Sequence, residues 1–156
     1  MPTTRTHTRT DTGLAAELRI SVMRLARRLR LQRADPSLSD TQLAALGAIE
    51  RNGSMTPGEL AEHEKVQPPS MTRVISALEE NGLIARTSHP TDRRQVLLAL
   101  TEKGSALLGE IRRRRTAWLA RRLRELTPEE RATLRAAVPI LEKLSRAGGE
   151  ANKTSS

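Results

Sequence analysis

The sequence predicts a mainly α-helical protein that contains one small β-hairpin. Across most of the 156 residues, apolar side chains recur at steps of three or four, as on the packed face of an amphipathic helix. Capping sequences and prolines mark the starts of several such segments. Two short apolar segments, residues 83–87 and 96–100, flank a polar stretch rich in turn residues, which is the pattern of a hairpin. The hairpin therefore interrupts an otherwise helical chain.

The first predicted helix spans residues 13–34. Its apolar stripe, with arginines between its members, consists of Leu14, Leu18, Val22, Leu25 and Leu29. The helix should end before Asp35-Pro36, because a residue that precedes proline disfavours helical backbone angles. Residues 1–12 are rich in Thr and Arg without periodicity, and residues 148–156 are small and polar, so we predict a mobile tail at each end.

Capping boxes open the second and third helices. In each box a hydroxyl oxygen accepts a hydrogen bond from the backbone N–H three residues further on. The Glu or Gln side chain at that later position accepts one from the backbone N–H of the hydroxyl residue. Free N–H groups at the helix start are thereby satisfied. The boxes are Ser39 with Gln42 and Thr56 with Glu59. Asn52-Gly53 ends the second helix, and the third is short, covering about residues 57–64.

Pro68 and Pro69 start a fourth helix, which ends at Asn81-Gly82. One face of this helix is apolar, through Met71, Val74, Ile75 and Leu78. The third and fourth helices form a helix-turn-helix pattern, and the hairpin that follows them is a wing. We therefore predict a winged helix-turn-helix domain over residues 38–100.

Two further helices are predicted over residues 101–147, the second opening at the capping sequence Thr127-Pro128-Glu129-Glu130. Like the first helix of the chain, both carry a wide apolar face. A single layer of helices beside a small domain cannot cover that face. We therefore predict that residues 13–34 and 101–147 are dimerisation helices and that the chain forms a homodimer.

The charge of the chain indicates a polyanionic partner. Lys and Arg number 27 against 18 Asp and Glu, for a formal net charge of +9. Trp118 is the single aromatic residue, with no Phe or Tyr, which argues against the aromatic stacking platforms that bind RNA or single strands. Double-stranded DNA is therefore the predicted partner, and residues 38–100 are its predicted binding domain.

Other features of the composition exclude further classes. No run approaches the roughly 18 apolar residues of a membrane-spanning helix, and the N-terminus lacks the apolar core of a signal peptide. We therefore expect a cytoplasmic, nucleoid-associated protein without a membrane partner. The chain has no cysteine, which excludes disulfides, thiolate metal ligands and thiol-based redox sensing.

The exposed face at the start of the fourth helix is the predicted DNA reader. It presents Pro69, Ser70, Thr72 and Arg73 opposite the apolar stripe. In helix-turn-helix proteins this turn enters the major groove, where hydroxyls contact bases or phosphates and Arg pairs bidentately with guanine. Arg73 is the first candidate for base readout. The alternative is that Ser70 and Thr72 are small polar residues at a helix start and that Arg73 is solvated.

The predicted wing carries a loop of positive net charge around Asp92, Arg93 and Arg94. We expect Asp92 to hold the side chain of Arg94 in an extended pose, so that one arginine can enter a minor groove. Arg86, on the predicted strand that follows the fourth helix, is a further candidate for a phosphate contact. The alternative is a solvated turn with a weak Asp-Arg ion pair.

A run of four arginines, residues 112–115, is followed by Arg121, Arg122 and Arg124. Consecutive helical positions point about 100° apart, so the run cannot share one face. We expect most of these side chains to be solvated in the dimerisation region and paired partly with Glu110 and Glu125. Whether the run also touches DNA is left open.

No catalytic or metal-binding pattern is visible in the sequence. His7, His63 and His89 have no spacing that builds a metal site, and the last two are interpreted as surface residues. Neither a phosphate-cradling glycine loop nor a nucleophile with its base can be identified. We therefore predict that the protein is not an enzyme and has no cofactor. Trp118 is interpreted as core or interface packing rather than a ligand stack.

Three segments resemble the multiple antibiotic resistance regulator (MarR) family of bacterial and archaeal repressors. They are Pro69 to Arg73, Leu78 to Arg86, and Asp92-Arg93-Arg94 followed by Val96 to Gly104. The resemblance covers about residues 12–146 in element order. It implies a triangular homodimer of two winged domains on a base of terminal helices. Such a dimer binds a pseudo-palindromic operator and is often released by a small phenolic or anionic molecule.

The resemblance also assigns positions. Those matching the recognition helix and wing pair are Pro69, Ser70, Thr72, Arg73, Asp92 and Arg94, with Arg93 at the variable wing position. Gln67 departs from the Ser or Asp that commonly caps this helix, and Pro139 lies inside the last helix, where it should kink the backbone. The missing cysteines exclude the peroxide-sensing branch, and the scarcity of aromatic residues disfavours a stacking pocket for a phenolic effector.

The leading hypothesis is a sequence-specific DNA-binding regulator, a repressor or less often an activator, that acts as a homodimer on a pseudo-palindromic operator. The identity and the existence of a small-molecule effector are left open. The first alternative is an effector-independent architectural or nonspecific DNA-binding protein of the same fold, which relies on its net charge. The second is an enzyme or a protein-interaction module, which the absence of a catalytic pattern disfavours.

Overall fold

The structure is a computed structural model that describes residues 4–147. In this part of the chain the elements are α1 (Thr4–Arg30), α2 (Asp40–Asn52), α3 (Pro57–Glu64), α4 (Pro68–Glu80), β1 (Ile84–Ser88), β2 (Val96–Leu100), α5 (Glu102–Arg124) and α6 (Pro128–Arg146). This order confirms the predicted fold class, a mainly helical chain with a hairpin wing after a helix-turn-helix. The predicted tail at residues 148–156 lies outside the described residues.

Helix α1 differs from its prediction at both ends. It begins at Thr4, so residues 4–12, which we expected in a mobile tail, are helical. No proline and a single glycine, Gly13, occur between Thr4 and Arg30, so the amphipathic part can propagate toward the N-terminus at a small cost per residue. The helix ends at Arg30 rather than at residue 34. Arg33 lies in the following loop, where its guanidinium donates to the Leu38 carbonyl and pairs with Asp40.

The chain forms two compact units, Met1–Thr116 and Ala117–Ser156. In the first unit, helices α2 to α4, the hairpin and the start of α5 enclose one apolar core, in which the described residues include no buried polar or charged side chain. The largest fully buried side chains are Leu46, Ile49, Leu60, Met71, Leu78 and Leu98. They come from α2, α3, α4 and β2, so a shared core holds the helix-turn-helix and the wing in one unit.

The wing is an antiparallel pair whose register runs from Ile84 opposite Leu100 to Ser88 opposite Val96. On its other edge, β2 bridges to Met55, just before α3. The N–H of Met55 donates to the Leu98 carbonyl at 3.1 Å, and the N–H of Leu98 returns a bond of 2.7 Å. Strand β2 is therefore held on both edges, which ties the base of the wing to the start of the helix-turn-helix.

Helix α5 starts against the turn between α4 and β1. The Thr101 hydroxyl donates to the Gly82 carbonyl at 2.6 Å and accepts from the Gly104 N–H at 3.1 Å. One hydroxyl therefore both binds the turn and caps the start of α5. A Cβ added to Gly104 would lie 2.2 Å from the Leu83 carbonyl oxygen, which is closer than any real contact. Only glycine allows α5 to approach β1 so closely.

In the second unit, Thr127 and Glu130 form the capping box that opens α6. The helix continues past Pro139 to Arg146, so this proline does not end it. None of its described residues is buried. Its exposed apolar residues are Leu134, Val138, Ile140, Leu141 and Leu144, and α1 likewise exposes Leu14, Ile20, Val22, Met23 and Leu25. No described helix is both long and apolar enough to cross a membrane.

Candidate DNA-binding surface

The start of α4 combines a buried face with an exposed polar one. Met71, Ile75 and Leu78 are buried in the core of the first unit. The predicted reader residues lie on the other side and are all exposed: Pro69, Ser70, Thr72 and Arg73. The period of 3.6 residues separates the two sets. The structure therefore brings the four residues together on one turn, in the arrangement expected of a recognition helix.

The first turn of α4 leaves little of its backbone free to bind a ligand. The N-cap Gln67 makes no side-chain capping bond, as its residue type suggested, and its carbonyl accepts from the Met71 N–H at 2.9 Å. Pro68 and Pro69 have no N–H at all. Ser70 is thus the first residue of the helix with a backbone donor, and that donor lies at the positive end of the helix dipole.

The hydroxyl of Thr72 already has a partner within the helix. It donates to the Pro68 carbonyl at 2.9 Å. In this state Thr72 can offer DNA only the acceptor lone pairs of its oxygen and its methyl group, which suit a base amino group or a thymine methyl. Ser70 and Arg73 are the donors on this face, so contacts to phosphates or to guanine fall to them.

The tip of the wing is a tight turn with arginines at its two central positions. The Gln95 N–H donates to the Asp92 carbonyl at 3.1 Å, and Arg93 and Arg94 between them are exposed. An Asp92 carboxylate oxygen accepts from the backbone N–H of Arg94 at 3.0 Å. No ion pair of Asp92 occurs within residues 10–147.

This contact corrects our expectation that Asp92 orients the side chain of Arg94. A short Asp side chain reaches the N–H two residues on with little loss of freedom, and this bond defines the turn. Asp92 therefore shapes the backbone that carries Arg94 and leaves the guanidinium free to extend. The predicted bond between the two side chains is replaced by one between the Asp92 side chain and the Arg94 backbone, and the extended pose of Arg94 stays a prediction.

His89, which we interpreted as a surface residue, is half-buried at the base of this turn. Its Nδ1 lies 3.1 Å from the backbone N of Asp92 and 3.3 Å from that of Thr91. The backbone N–H of His89 donates to the Gln95 carbonyl on the other side of the loop, at 3.2 Å. The sequence signal that we missed is the position of His89 two residues before a polar turn, where an acceptor side chain can act as Asn or Asp does.

Arg86, in the first strand of the wing, contacts the recognition helix α4. Its Nε donates to a Glu79 carboxylate oxygen at 2.9 Å, and the two side chains are 42% and 39% exposed. Glu79 is in the last turn of α4 and Arg86 is in β1. The pair therefore joins the two elements that are expected to enter adjacent grooves. A phosphate contact by Arg86 stays a prediction, since the pair leaves part of the guanidinium accessible.

The arginine run on α5 is largely engaged with carboxylates. Arg113 and Arg114 bond Glu110, and Arg122 bonds Glu125, which confirms the predicted pairs. Arg112 instead forms a two-bond ion pair with Glu50 of α2, at 2.6 and 3.0 Å. The Arg112 guanidinium holds the pKa of the Glu50 carboxyl below its ordinary value of 4.5. Local spacing could not reveal this pair, because its partners are distant in sequence.

Trp118 is half-buried in the second unit. The Arg122 guanidinium lies over its ring, with 5.7 Å between the guanidinium carbon and the ring centroid, which is the geometry of a cation–π contact. Among residues 10–147, no group of three His, Asp or Glu side chains is arranged to hold a metal ion.

A recognition helix anchored by a buried stripe, an arginine-bearing wing and the charge of the chain define a winged helix-turn-helix DNA-binding transcriptional regulator. The sequence profile of the MarR family matches residues 38–96. The HTH-type transcriptional regulator MT0903.1 of Mycobacterium tuberculosis is 46% identical over 131 residues, which cover 84% of this chain and 92% of that protein. The HTH-type transcriptional repressor MdtR of Bacillus subtilis is 31% identical over 138 residues, which cover 86% and 87%.

A solved structure of a transcriptional regulator from Pseudomonas aeruginosa has the same fold. Its TM-score is 0.77 at 38% identity, and the match covers 87% of this chain and 96% of that one. The chain belongs to the MarR family of DNA-binding transcriptional regulators, as the sequence motifs indicated, and it is not an enzyme.

Proposed function

We propose that the protein is a sequence-specific repressor that binds a pseudo-palindromic operator as a homodimer. The observation that carries this proposal is the exposed turn of α4, where Ser70, Thr72 and Arg73 share a face fixed by buried residues. A rigidly held polar face of this kind suits base readout, whereas a nonspecific binder needs only charge. The direction of regulation follows MdtR, which is named a repressor.

The reader residues have different roles in this proposal. Arg73 pairs with the acceptor edge of a guanine in the major groove, and the N–H and hydroxyl of Ser70 bond a phosphate at the positive end of α4. Arg94, with Arg93, enters the neighbouring minor groove. Phosphate contacts set the register of the protein on the duplex, and the base contact sets the sequence that it prefers.

The homodimer is inferred from two apolar surfaces, each considered by itself. On α6, Leu134, Val138 and Leu141 are 45%, 53% and 41% exposed. On α1, Val22 and Leu25 are 47% and 45% exposed. Apolar helical faces of this extent are covered in most soluble proteins, and a second copy of the chain is the partner that we propose for each of them. Two paired readers then explain an operator with two half-sites about one helical turn apart.

A small-molecule effector of unknown identity would act by changing the spacing of the two readers. The first unit contains a cavity of about 480 Å³ between the end of α1, α2 and α5. It is lined by both signs of charge, including Arg30, Glu50 and Arg112, and by the apolar side chains of Leu108 and Ile111. We propose this cavity as the place to look for such an effector.

Genome-wide mapping of bound DNA, followed by competition measurements, tests the proposed function. We expect the bound fragments to share a two-fold motif, and we expect complexes with that motif to survive excess bulk DNA at physiological salt. An architectural protein would show no shared motif and would be stripped by the competitor. Absence of DNA binding even at low salt would overturn both interpretations.

A further inference from the structure

The loop at the tip of the wing, residues 89–95, is shaped by side chains that bond the backbone. Two of them, His89 and Asp92, bond successive backbone N–H groups along the loop. The Nδ1 atom of His89 lies opposite the backbone N–H groups of Thr91 and Asp92, at 3.3 and 3.1 Å. The Asp92 carboxylate then accepts from the N–H of Arg94 at 3.0 Å. The imidazole is therefore the first member of a chain of bonds that ends at the arginine-bearing turn.

These contacts determine the form of the ring. Backbone N–H groups can only donate, so two of them facing one ring nitrogen require that nitrogen to carry a lone pair. Nδ1 of His89 is thus the acceptor in this conformation, and Nε2 is the ring nitrogen that can carry a hydrogen. The Thr91 hydroxyl lies 3.3 Å from the same Nδ1 atom.

We propose that His89 is a positioning residue of the wing: as a hydrogen-bond acceptor it shapes the turn that carries Arg93 and Arg94, and loss of this acceptor releases the turn and weakens DNA binding. This proposal rests on the proposed function for its effect on DNA, but its effect on the wing is independent of it.

No charged side chain of the loop forms an ion pair with the ring. The charged side chains of the loop are Asp92, Arg93 and Arg94, and the Asp92 carboxylate bonds the Arg94 N–H. The residues that flank the loop, Ser88 of β1 and Val96 of β2, are uncharged. Within residues 10–147 the ring forms no ion pair. The bonds to backbone N–H groups are therefore what orients it.

His89→Asn and His89→Ala separate loss of the acceptor from loss of the ring. The Asn side-chain oxygen can take the place of Nδ1, whereas Ala removes the acceptor. We expect the operator affinity of His89→Asn to lie within about twofold of the wild type and that of His89→Ala to be about tenfold lower.

The matched control is His63→Ala, because His63 contacts the neighbouring Glu64 carboxylate in α3 and lies outside the wing. Its operator affinity should stay close to that of the wild type. Equal affinity of His89→Ala and the wild type would show that the ring positions nothing. Equal losses of affinity in His89→Asn and His89→Ala would mean that the ring acts through something other than its acceptor, which also overturns the proposal.

Amide proton NMR of the free protein tests the same role without DNA. We expect the chemical shifts of the Thr91, Asp92 and Arg94 amides to stay close to the wild-type values in His89→Asn and to move away from them in His89→Ala. Unchanged shifts of these amides in His89→Ala would contradict the proposal. If the turn depends on the acceptor as expected and no protein binds a specific site, the proposed function fails and the positioning role of His89 stands.

Discussion

At the scale of single residues, the arginines of this protein fall into two groups. Arg112, Arg113 and Arg114 hold carboxylates, so most of their charge is already engaged. Arg73 and Arg94 are exposed and, within residues 10–147, form no ion pair. An arginine without a competing carboxylate binds DNA without first breaking a bond to protein. The net charge of the chain indicates that it binds DNA. The presence or absence of a carboxylate partner indicates which of its arginines are available to contact the DNA.

Arg73→Ala and Arg94→Ala should therefore have different effects on binding. The first removes a base contact, so we expect a loss of about 1–3 kcal/mol at the operator and a relaxed preference at one base pair of each half-site. The second removes a positive charge from the minor groove but no bond that distinguishes one base pair from another, so affinity should fall for all sequences and the salt dependence should decrease by about one unit of slope. Fluorescence anisotropy over a salt series measures both effects.

Arg113→Ala is the control for this pair, since Arg113 bonds Glu110 on its own helix. Its affinity and salt dependence should stay close to those of the wild type. Unchanged operator affinity in both Arg73→Ala and Arg94→Ala would show that the assigned contacts are wrong.

At the scale of elements, the function of the wing depends on how its neighbours hold it. Strand β2 bonds the segment before α3, Arg86 of β1 bonds Glu79 of α4, and α5 begins against the turn between α4 and β1. The contact between Arg86 and Glu79 joins the two elements that are expected to touch different parts of the DNA, and the other two contacts hold these elements in place. Changes at these joints should therefore alter stability and DNA affinity together.

Gly104→Ala tests the tightest of these joints. The added Cβ would meet the Leu83 carbonyl oxygen at 2.2 Å, and a backbone atom cannot move aside freely. We expect a loss of about 1–3 kcal/mol in the free energy of unfolding, measured by urea denaturation. Gly109→Ala on the same helix is the control, because its Cβ meets only the flexible end of Arg113 at 3.4 Å. That variant should be stabilised by up to about 1 kcal/mol, and equal destabilisation of both would contradict the clash.

The ion pair between Glu50 of α2 and Arg112 of α5 predicts a dependence of stability on pH. Arg112 lowers the pKa of Glu50 in the folded state, so the pair contributes stability above the ordinary value of 4.5 and loses it as pH falls through the folded pKa. The stability difference between wild type and Glu50→Gln should be largest near neutral pH and shrink below pH 4.5. In an Arg112→Gln background the difference should be small at every pH, and a difference that grows toward acid would contradict this assignment.

At the scale of the whole molecule, the exposed apolar faces require an explanation that the single chain does not provide. Leu134, Val138 and Leu141 lie within one sector of α6, while Lys143 lies about 180° away on the same helix. If a second copy covers the apolar sector, a charge placed there is buried without a partner and separates the subunits. A charge change at Lys143 has no such effect.

Val138→Glu should therefore yield a monomer at micromolar concentration, with operator affinity reduced about a hundredfold or more, because each monomer has only one reader. Sedimentation equilibrium and DNA binding measure the two properties on the same sample. Lys143→Glu should stay dimeric. A dimeric Val138→Glu protein with full affinity would place the subunit contact elsewhere.

Much of the site could be predicted from sequence because its signals are local. The capping boxes at Ser39, Thr56 and Thr127 all form as predicted, since each needs only residues three positions apart. The reader face of α4 follows in the same way from the helical period. The start of α1 was predicted wrongly, because amphipathic periodicity is absent over residues 4–12 although the helix continues through them.

By itself, the sequence determined the order of the elements, the two faces of α4 and the arginines at the wing tip, because these depend on spacing along the chain and on the chemistry of each residue type. Only the tertiary structure decided that Arg112 pairs with Glu50, that Gly104 packs on Leu83, that Arg86 joins the wing to α4 and that His89 supports the turn. The first three contacts join different elements, and the last depends on how the wing loop folds. Folding alone fixes these distances and bond directions, whereas the residue pattern leaves many partners possible.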